Sequence, residues 1–208
     1  MIFQRSPNVP QLSDYLEYRD PYLRPDFEYR CAYCLIHEYY FLDGEAGEVD
    51  HHRPLHPPEG LGKDFSPLKN VYGNLYWSCP RCNLYKGNRW PTDAQYAAGE
   101  RFLDPCVEDH DAHWDTLTDG TISAKTVTGR YTIRNIRLDR SRLNKRRAEF
   151  SRDQHKLAQI LRELEQAAIT PEHRRTLLER LEDVQERIRP PVWVAEPVAN
   201  APFEAPSP

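Results

Sequence analysis

The sequence predicts an α+β fold: a small ββα core stapled by two cysteine pairs, followed by a β-hairpin and a C-terminal α-helical hairpin. Three observations carry this reading. Cys31-x-x-Cys34 and Cys79-x-x-Cys82 are two closely spaced pairs far apart in the chain. Two short β-prone runs and a helical run occur in order between and after them. Beyond residue 138, apolar side chains recur at helical intervals in two runs separated by Thr170-Pro171. Composition agrees. The 208 residues are 39% hydrophobic and 29% charged, with 18 prolines, which suits a small core with solvated extensions better than one large core.

In chain order, residues 1–30 form an extension rich in Tyr, Pro and charge. Leu12 to Arg19 suits one or two helical turns capped by Ser13, and Pro21 and Pro25 end any helix there. Tyr15, Tyr18, Tyr22, Phe27 and Tyr29 are expected to pack on the cysteine-stapled core. Residues 31–105 are that core: a strand at Glu48 to His51 stopped by Pro54, a loop carrying Pro57-Pro58, Gly60 and Gly62, and a second strand at Leu75 to Ser78. A helix from Pro80 to Asn88 comes next, stopped by Gly87 and Pro91. In residues 106–137, Asp119-Gly120 and Thr128-Gly129 are turn signals between the β-prone runs Thr121-Ile122, Thr126-Val127 and Tyr131-Thr132-Ile133, so a hairpin is expected. Residues 138–189 read as a helical hairpin. Its stripes are Leu157, Ile160, Leu161 and Leu164, then Leu177, Leu181, Val184 and Ile188, with Thr170 as cap and Pro171 at the first helical position. The Pro-rich residues 190–208 read as disordered.

Two C-x-x-C pairs point to tetrahedral zinc, because each tight turn aims two sulfurs at one ion. The rival, a redox dithiol, needs one pair opening a helix in a thioredoxin-like pattern, which is absent. Four thiolates close the shell, so the zinc is scaffold. Cys106 is left as a packed or free thiol. The N-terminus lacks a basic region followed by an apolar stretch, and no apolar run approaches the roughly 18 residues that cross a bilayer. Neither a membrane nor a secreted reading is favoured, and a cytoplasmic location is expected. The net charge is −4, yet the stretch from Arg130 to Arg152 holds nine basic and two acidic residues, a local +7 on an acidic body. Such a block is either a phosphate-contacting surface or a solvated helix face.

Between the cysteine pairs lies Val49-Asp50-His51-His52-Arg53-Pro54. Further on come Gly73-Asn74-Leu75 and Cys79-Pro80-Arg81-Cys82-Asn83-Leu84-Tyr85-Lys86-Gly87-Asn88. This ordered set resembles the HNH endonuclease family, whose core is a zinc-stapled ββα-metal fold, over about residues 31–90. The resemblance implies His51 as general base, Asp50 and Asn83 as ligands of a catalytic divalent metal, and Asn74 as the residue that orders the histidine loop. It implies Cys31, Cys34, Cys79 and Cys82 as ligands of structural zinc. The position after the base is His52 rather than an aliphatic or aromatic residue, and the Gly-Gly often found after the proline is missing. Oxygen donors at Asp50 and Asn83 favour Mg2+ or Mn2+.

Asp50 to Pro54, Asn74-Leu75, Lys86 to Pro91 and Phe102 to Cys106 also resemble a bacterial HNH subgroup that includes the HNH partners of ATPases in Septu-type and retron-linked anti-phage systems. The function this implies is hydrolysis of DNA phosphodiester bonds, with an ATPase subunit of a defence complex as partner. Neutral His51 would take the proton from water. Lys86, Arg89, Arg142, Arg146 and Arg147 are the candidate phosphate contacts. The competing readings are a non-catalytic zinc-stapled module that binds nucleic acid or protein, and an HNH enzyme that cuts RNA. His52 reads as a packed histidine. His37 and His56 are ambiguous, and His110 and His113 are expected at the surface. Tyr72, Tyr76, Trp77, Tyr85 and Trp90 read as core.

Overall fold

A computed structural model describes residues 1–41, 46–166 and 169–188. The chain divides into two compact units, Met1–Arg152 and Asp153–Pro208. Residues 190–208, expected to be disordered, lie outside the described residues.

The first unit opens with a single turn at Tyr15–Tyr18, whose cap is Asp14 rather than Ser13. The Asp14 carboxylate accepts from Leu16 N at 2.8 Å, while the Ser13 hydroxyl donates to Glu17 at 2.8 Å. A wide turn at Arg19–Leu23 leads into helix α1 (Arg24–Asp26). Tyr18, Leu23 and Phe27 are fully buried and belong to the main core, whereas Tyr29 is exposed beside His37.

Strands β1 (Glu48–His51) and β2 (Leu75–Ser78) pair antiparallel, with Asp50 opposite Tyr76 and His51 opposite Leu75. β2 is buried along its whole length because both its faces are covered. The N-terminal extension covers one of them: Phe27 lies 5.5 Å and the Arg5 guanidinium 4.6 Å from the Tyr76 ring. Arg5 also donates to the carbonyls of Tyr72 and Leu75 at 3.1 and 3.0 Å. Helix α2 (Pro80–Lys86) starts directly after β2. Its first residue is proline, which costs nothing where the N–H would be unpaired, and it stops at Gly87. Thus strand, strand and helix occur in the predicted order. Helix α3 (Asp93–Ala97), capped by Thr92, and helix α4 (His110–His113) come after them. His110 is buried, contrary to its expected place at the surface. Its two ring nitrogens meet the carbonyls of Met1 and Ala32 at 2.8 and 3.0 Å.

The predicted hairpin exists but is shorter. β3 (Trp114–Thr116) pairs with β4 (Ile122–Ala124) around the Asp119-Gly120 turn. The runs Thr126-Val127 and Tyr131-Thr132-Ile133 are not strands: they form helix α5 (Val127–Ile136). Thr126 caps that helix, accepting from Gly129 N at 2.9 Å. Thr128-Gly129 is therefore a first helical turn rather than a hairpin turn. Thr128, Thr132 and Ile136 are buried at intervals of four. That burial outweighs the few tenths of a kcal/mol each β-branched residue costs in a helix. Gly129 is required by close approach, since a Cβ there would lie 2.1 Å from the His113 carbonyl oxygen.

Helix α6 (Ser141–Leu164) contributes Leu143 and Ala148 as buried residues of the first unit. In the second unit, the end of α6 and helix α7 (Pro171–Ile188) share a core of Ile160, Leu177 and Val184, flanked by Leu157, Leu164 and Leu181. Thr170 caps α7, its hydroxyl accepting from His173 N at 3.2 Å. Leu161, expected in the first stripe, is exposed. The buried line runs through 157, 160 and 164, and 161 falls on its flank. No helix among the described residues is long and apolar enough to cross a membrane.

The hairpin turn is tied to α6 by Gly120, which has φ +79°, and a Cβ there would lie 1.8 Å from the Asn144 carbonyl oxygen. Gly120→Ala is expected to destabilise the protein by about 1–3 kcal/mol from backbone conformation alone, with the clash adding to it. Urea unfolding measures this, and an unchanged midpoint would show that the turn is not held against α6.

Candidate functional site

Two local devices build the first centre. The knuckle Cys31–Cys34 is closed by Cys31 N donating to the Ile36 carbonyl at 2.9 Å, with Leu35 at φ +63°. Ala32 N then donates to the Trp77 carbonyl at 2.8 Å, which ties this knuckle to β2. Cys79 and Cys82 sit at the start of α2, where the Cys79 sulfur accepts from Cys82 N at 3.4 Å. All four cysteines are buried, and their sulfurs lie within 4.8 Å of one another, Cys34 and Cys79 at 3.9 Å. A tetrahedron with Zn–S bonds of about 2.3 Å has edges of about 3.8 Å, so the donor set fits a structural zinc. The electrostatics agree. Cys79 is pushed far above the usual thiol range by its sulfur neighbours, and Cys82 by burial and then by those neighbours. Cys31 is instead drawn well below that range: burial pulls it up, but hydrogen bonds from the other three sulfurs outweigh it, so one thiolate is shared among neutral thiols, and a bound cation would let the others ionise too. The Arg140 guanidinium donates to the Cys82 sulfur at 3.3 Å, a contact with no signal in the sequence.

The second centre is an open cavity of about 520 Å3 lined by Asp50, His51, Asn83, Glu48, Gly87 and Asn88, among others. β1 alternation places Glu48 and Asp50 on one face, opposite α2. Positions 83 and 86 are one helical turn apart, so Asn83 meets Glu48 and Lys86 meets Asp50. The Asn83 amide donates to Glu48 at 2.6 Å. Lys86 Nζ donates to Asp50 Oδ1 at 2.8 Å and to the His51 carbonyl at 2.7 Å, and Tyr33 OH donates to Asp50 Oδ2. Lys86 is fully buried and Asp50 is 4% exposed. Lys86 is therefore not a phosphate contact as predicted. Its ammonium is spent inside the protein, where it compensates Asp50.

His51 is half-buried, and burial draws its pKa below the usual histidine value against the opposing pull of the Lys69 carbonyl and Asp50. Its Nε2 meets the Lys69 carbonyl at 2.9 Å. A carbonyl only accepts, so Nε2 carries the hydrogen, and in the neutral ring Nδ1 keeps the lone pair. The Tyr15 ring lies 4.9 Å away. Asn74 holds the chain just after His51. Its side chain accepts from Arg53 N at 2.8 Å and donates to Arg53 O at 3.1 Å, while its carbonyl accepts from His52 N at 2.9 Å. These bonds tie the chain just after His51 to the residue that precedes β2. His52, just past the end of β1, is buried outside this cavity, 4.7 Å from Tyr76 and 5.6 Å from Trp90. Burial, then Lys86, pushes it down to about 3, so it stays neutral.

The arginines divide. Arg147 donates to the carbonyls of Leu138 and Gly120 at 2.9 and 3.4 Å and to the Asn144 side chain at 3.0 Å, so it braces the hairpin against α6 and is not the predicted phosphate contact. Arg146 lies 3.8 Å over the Tyr40 ring and pairs with Glu149 at 3.5 Å. Arg142 and Arg89 are exposed, Arg89 donating to the Tyr85 carbonyl. Sequence reasoning missed Tyr33, Glu48 and Arg140. Only Glu48 left a signal, its spacing of two from Asp50 on a strand.

No family model and no solved structure matches the chain. Among curated proteins it is similar to the Septu protein PtuA of Bacillus mycoides (strain KBAB4), at 26% identity over 176 residues, covering 70% of this chain and 24% of that protein. The chain thus spans about a quarter of the length of the curated relative it matches.

Both centres can be tested. Elemental analysis of the folded protein should find one zinc per chain, and Cys82→Ser should lose both zinc and fold; folded protein free of zinc would refute the assignment. Lys86→Met should cost about 3–5 kcal/mol in chemical denaturation, because it strands a buried carboxylate. A change within about 0.5 kcal/mol, the range of a surface substitution, would mean that Asp50 is solvated rather than paired.

Proposed function

We propose that the chain is a metal-dependent endonuclease that hydrolyses phosphodiester bonds of DNA, with His51 as general base, and that it works within a Septu-type anti-phage system beside an ATPase subunit. The observation that carries the chemistry is His51. Its Nε2 is held by the Lys69 carbonyl, its following residues are clamped by Asn74, and it lines an open cavity. A fixed ring with a free Nδ1 lone pair and a lowered pKa is what proton abstraction near neutral pH requires. In the proposed step Nδ1 takes a proton from water, the water oxygen bonds to phosphorus, and the bond from phosphorus to the leaving oxygen breaks. The defence role draws on the similarity to the Septu protein and on the subgroup resemblance.

The cavity's oxygen donors suit a hard divalent cation. Asp50, Asn83 and Glu48 share its wall, and a carboxylate offers about four lone-pair sites, of which Lys86 and Tyr33 use two of Asp50's. Mg2+ or Mn2+ held there would supply Lewis-acid polarisation of a phosphate oxygen. Lys86 and Tyr33 hold Asp50 still, and Asn74 keeps the His51 backbone in place. A rival reading, a zinc-stapled module that binds without cutting, draws on the same Lys86: a carboxylate already matched by a cation has less charge to offer a metal.

Incubation with supercoiled plasmid and Mg2+ or Mn2+, with and without EDTA and with and without the ATPase subunit, tests this. Nicked or linear product is expected with metal and none with EDTA. His51→Ala should cut at least about 100-fold more slowly while keeping its zinc. Equal cleavage by the variant would remove His51 from the chemistry. No cleavage of plasmid or RNA under any condition would favour the binding module.

A further inference from the structure

Three cavities border α2 and the turn that follows it. The largest, about 780 Å3, includes Pro80 and the exposed cations Arg81, Arg142 and Lys145 in its wall. Pro80 also lines the His51 cavity, so the two adjoin at the start of the helix. At the other end, Gly87 and Asn88 of the His51 cavity are followed directly by Arg89 and Trp90 of a third cavity of about 430 Å3. Arg130 and Arg134, one helical turn apart on α5, face that third cavity. Each flank contains one acid, Glu149 and Glu100, and Glu149 already pairs with Arg146. Among the described residues, the side chains of Arg81, Arg142, Lys145, Arg130 and Arg134 make no ion pair or hydrogen bond. Exposed arginines without acidic partners on both sides of one cavity are an arrangement that a solvated surface does not require.

We propose that one strand of a DNA duplex runs past α2 through all three cavities, with the His51 cavity between the other two. Arg81, Arg142 and Lys145 hold phosphates on one side of the His51 cavity, and Arg89, Arg130 and Arg134 hold them on the other. Arg81 and Arg89 lie in sequence on either side of Asn83 of the His51 cavity, and helix α2 itself is about 10 Å long at 1.5 Å per residue, the span of roughly three nucleotides at 3.4 Å of rise. The target phosphate therefore sits in the middle with cations on both neighbours. A strand gripped on both sides of the cut continues past the site in both directions, so the cut is internal and needs no strand end. The contacts are to phosphate, so they position the strand without reading its sequence.

This rests on the hydrolytic reading only for the position of the cut, and binding tests it separately. His51→Ala protein and a fluorescein-labelled duplex are titrated by anisotropy across a salt series. Two further variants are made in the same background, Arg81/Arg142/Lys145→Ala and Arg130/Arg134→Ala, each checked for zinc content. Each should bind more weakly. Each should also lower the slope of log affinity against log salt, by about 0.9 per lost phosphate contact, thus by up to about 2.7 and 1.8. A normal slope in the Arg130/Arg134 variant would show that the strand does not cross to the third cavity and would overturn the path. If wild-type protein cuts closed circular DNA while both variants bind as their parent does, the path fails and the hydrolytic reading stands. If nothing is cut yet both variants lose slope, the path stands and the hydrolytic reading fails.

Discussion

Cys34 and Cys79 are 45 residues apart in the chain, and their sulfurs lie 3.9 Å apart. Both halves of the first unit's centre depend on that approach. The second pair sits where β2 ends and α2 begins, so fixing it fixes the direction in which α2 leaves the sheet. α2 must then lie over β1, and only in that position can Lys86 reach Asp50. A seven-residue helix has too few hydrogen bonds to persist alone, and a two-stranded sheet is marginal by itself. A metal joining the two compensates for both weaknesses. The entropy of closing a long loop grows only with the logarithm of its length, so the long excursion between the pairs adds little cost and leaves room for the whole His51 cavity.

The sulfur centre also explains where part of the basic stretch goes. Four thiolates around one dication would leave two negative charges buried. Arg140 reaches one of the sulfurs, and burial lowers the Arg147 pKa against the pull of Cys34 and Cys82. The stretch from Arg130 to Arg152 therefore has two uses. Arg140 and Arg147 serve the scaffold, and Arg146 is taken by Tyr40 and Glu149. Arg130, Arg134, Arg142 and Lys145 stay outside. A charge count over the segment cannot separate these, because the separation depends on which side of α5 and α6 faces the core.

Much of the core was legible because its signals are local. C-x-x-C spacing, a proline at a helix start and a glycine at its end act within one turn, and the two strands and α2 lie where those signals put them. The motif singled out Asn74, whose side chain is bonded to the Arg53 peptide. Longer-range facts were not legible. Thr128-Gly129 has the composition of a turn, and only the close approach of His113 reveals it as a helix start. Lys86 looked like a surface cation one turn from Asn83. Nothing in its neighbours says that it points inward, since that depends on the register of α2 on β1. Tyr33 lies inside the first knuckle, and its bond to Asp50 exists only because the knuckle and β1 share a core.

The buried Asp50–Lys86 pair has a consequence for how the cavity works. Removing two charges from water costs several kcal/mol per ion, so such a pair is poor evidence of stabilisation. A hydrophobic pair of the same volume would hold α2 on β1 at least as well. What the ionic pair provides is direction. Lys86 bonds to the Asp50 carboxylate and to the His51 carbonyl at once, so it sets the carboxylate and the histidine backbone in one geometry. Tyr33 takes the second oxygen, and Asn74 holds the next peptide. Three residues from three separate segments thus converge on Asp50, His51 and the two residues that follow them. The pairing with β2 sets the register of the strand, and this convergence adds a fixed orientation for Asp50 and the His51 backbone. It is the arrangement expected where the position of one imidazole and one carboxylate matters more than the stability their burial costs.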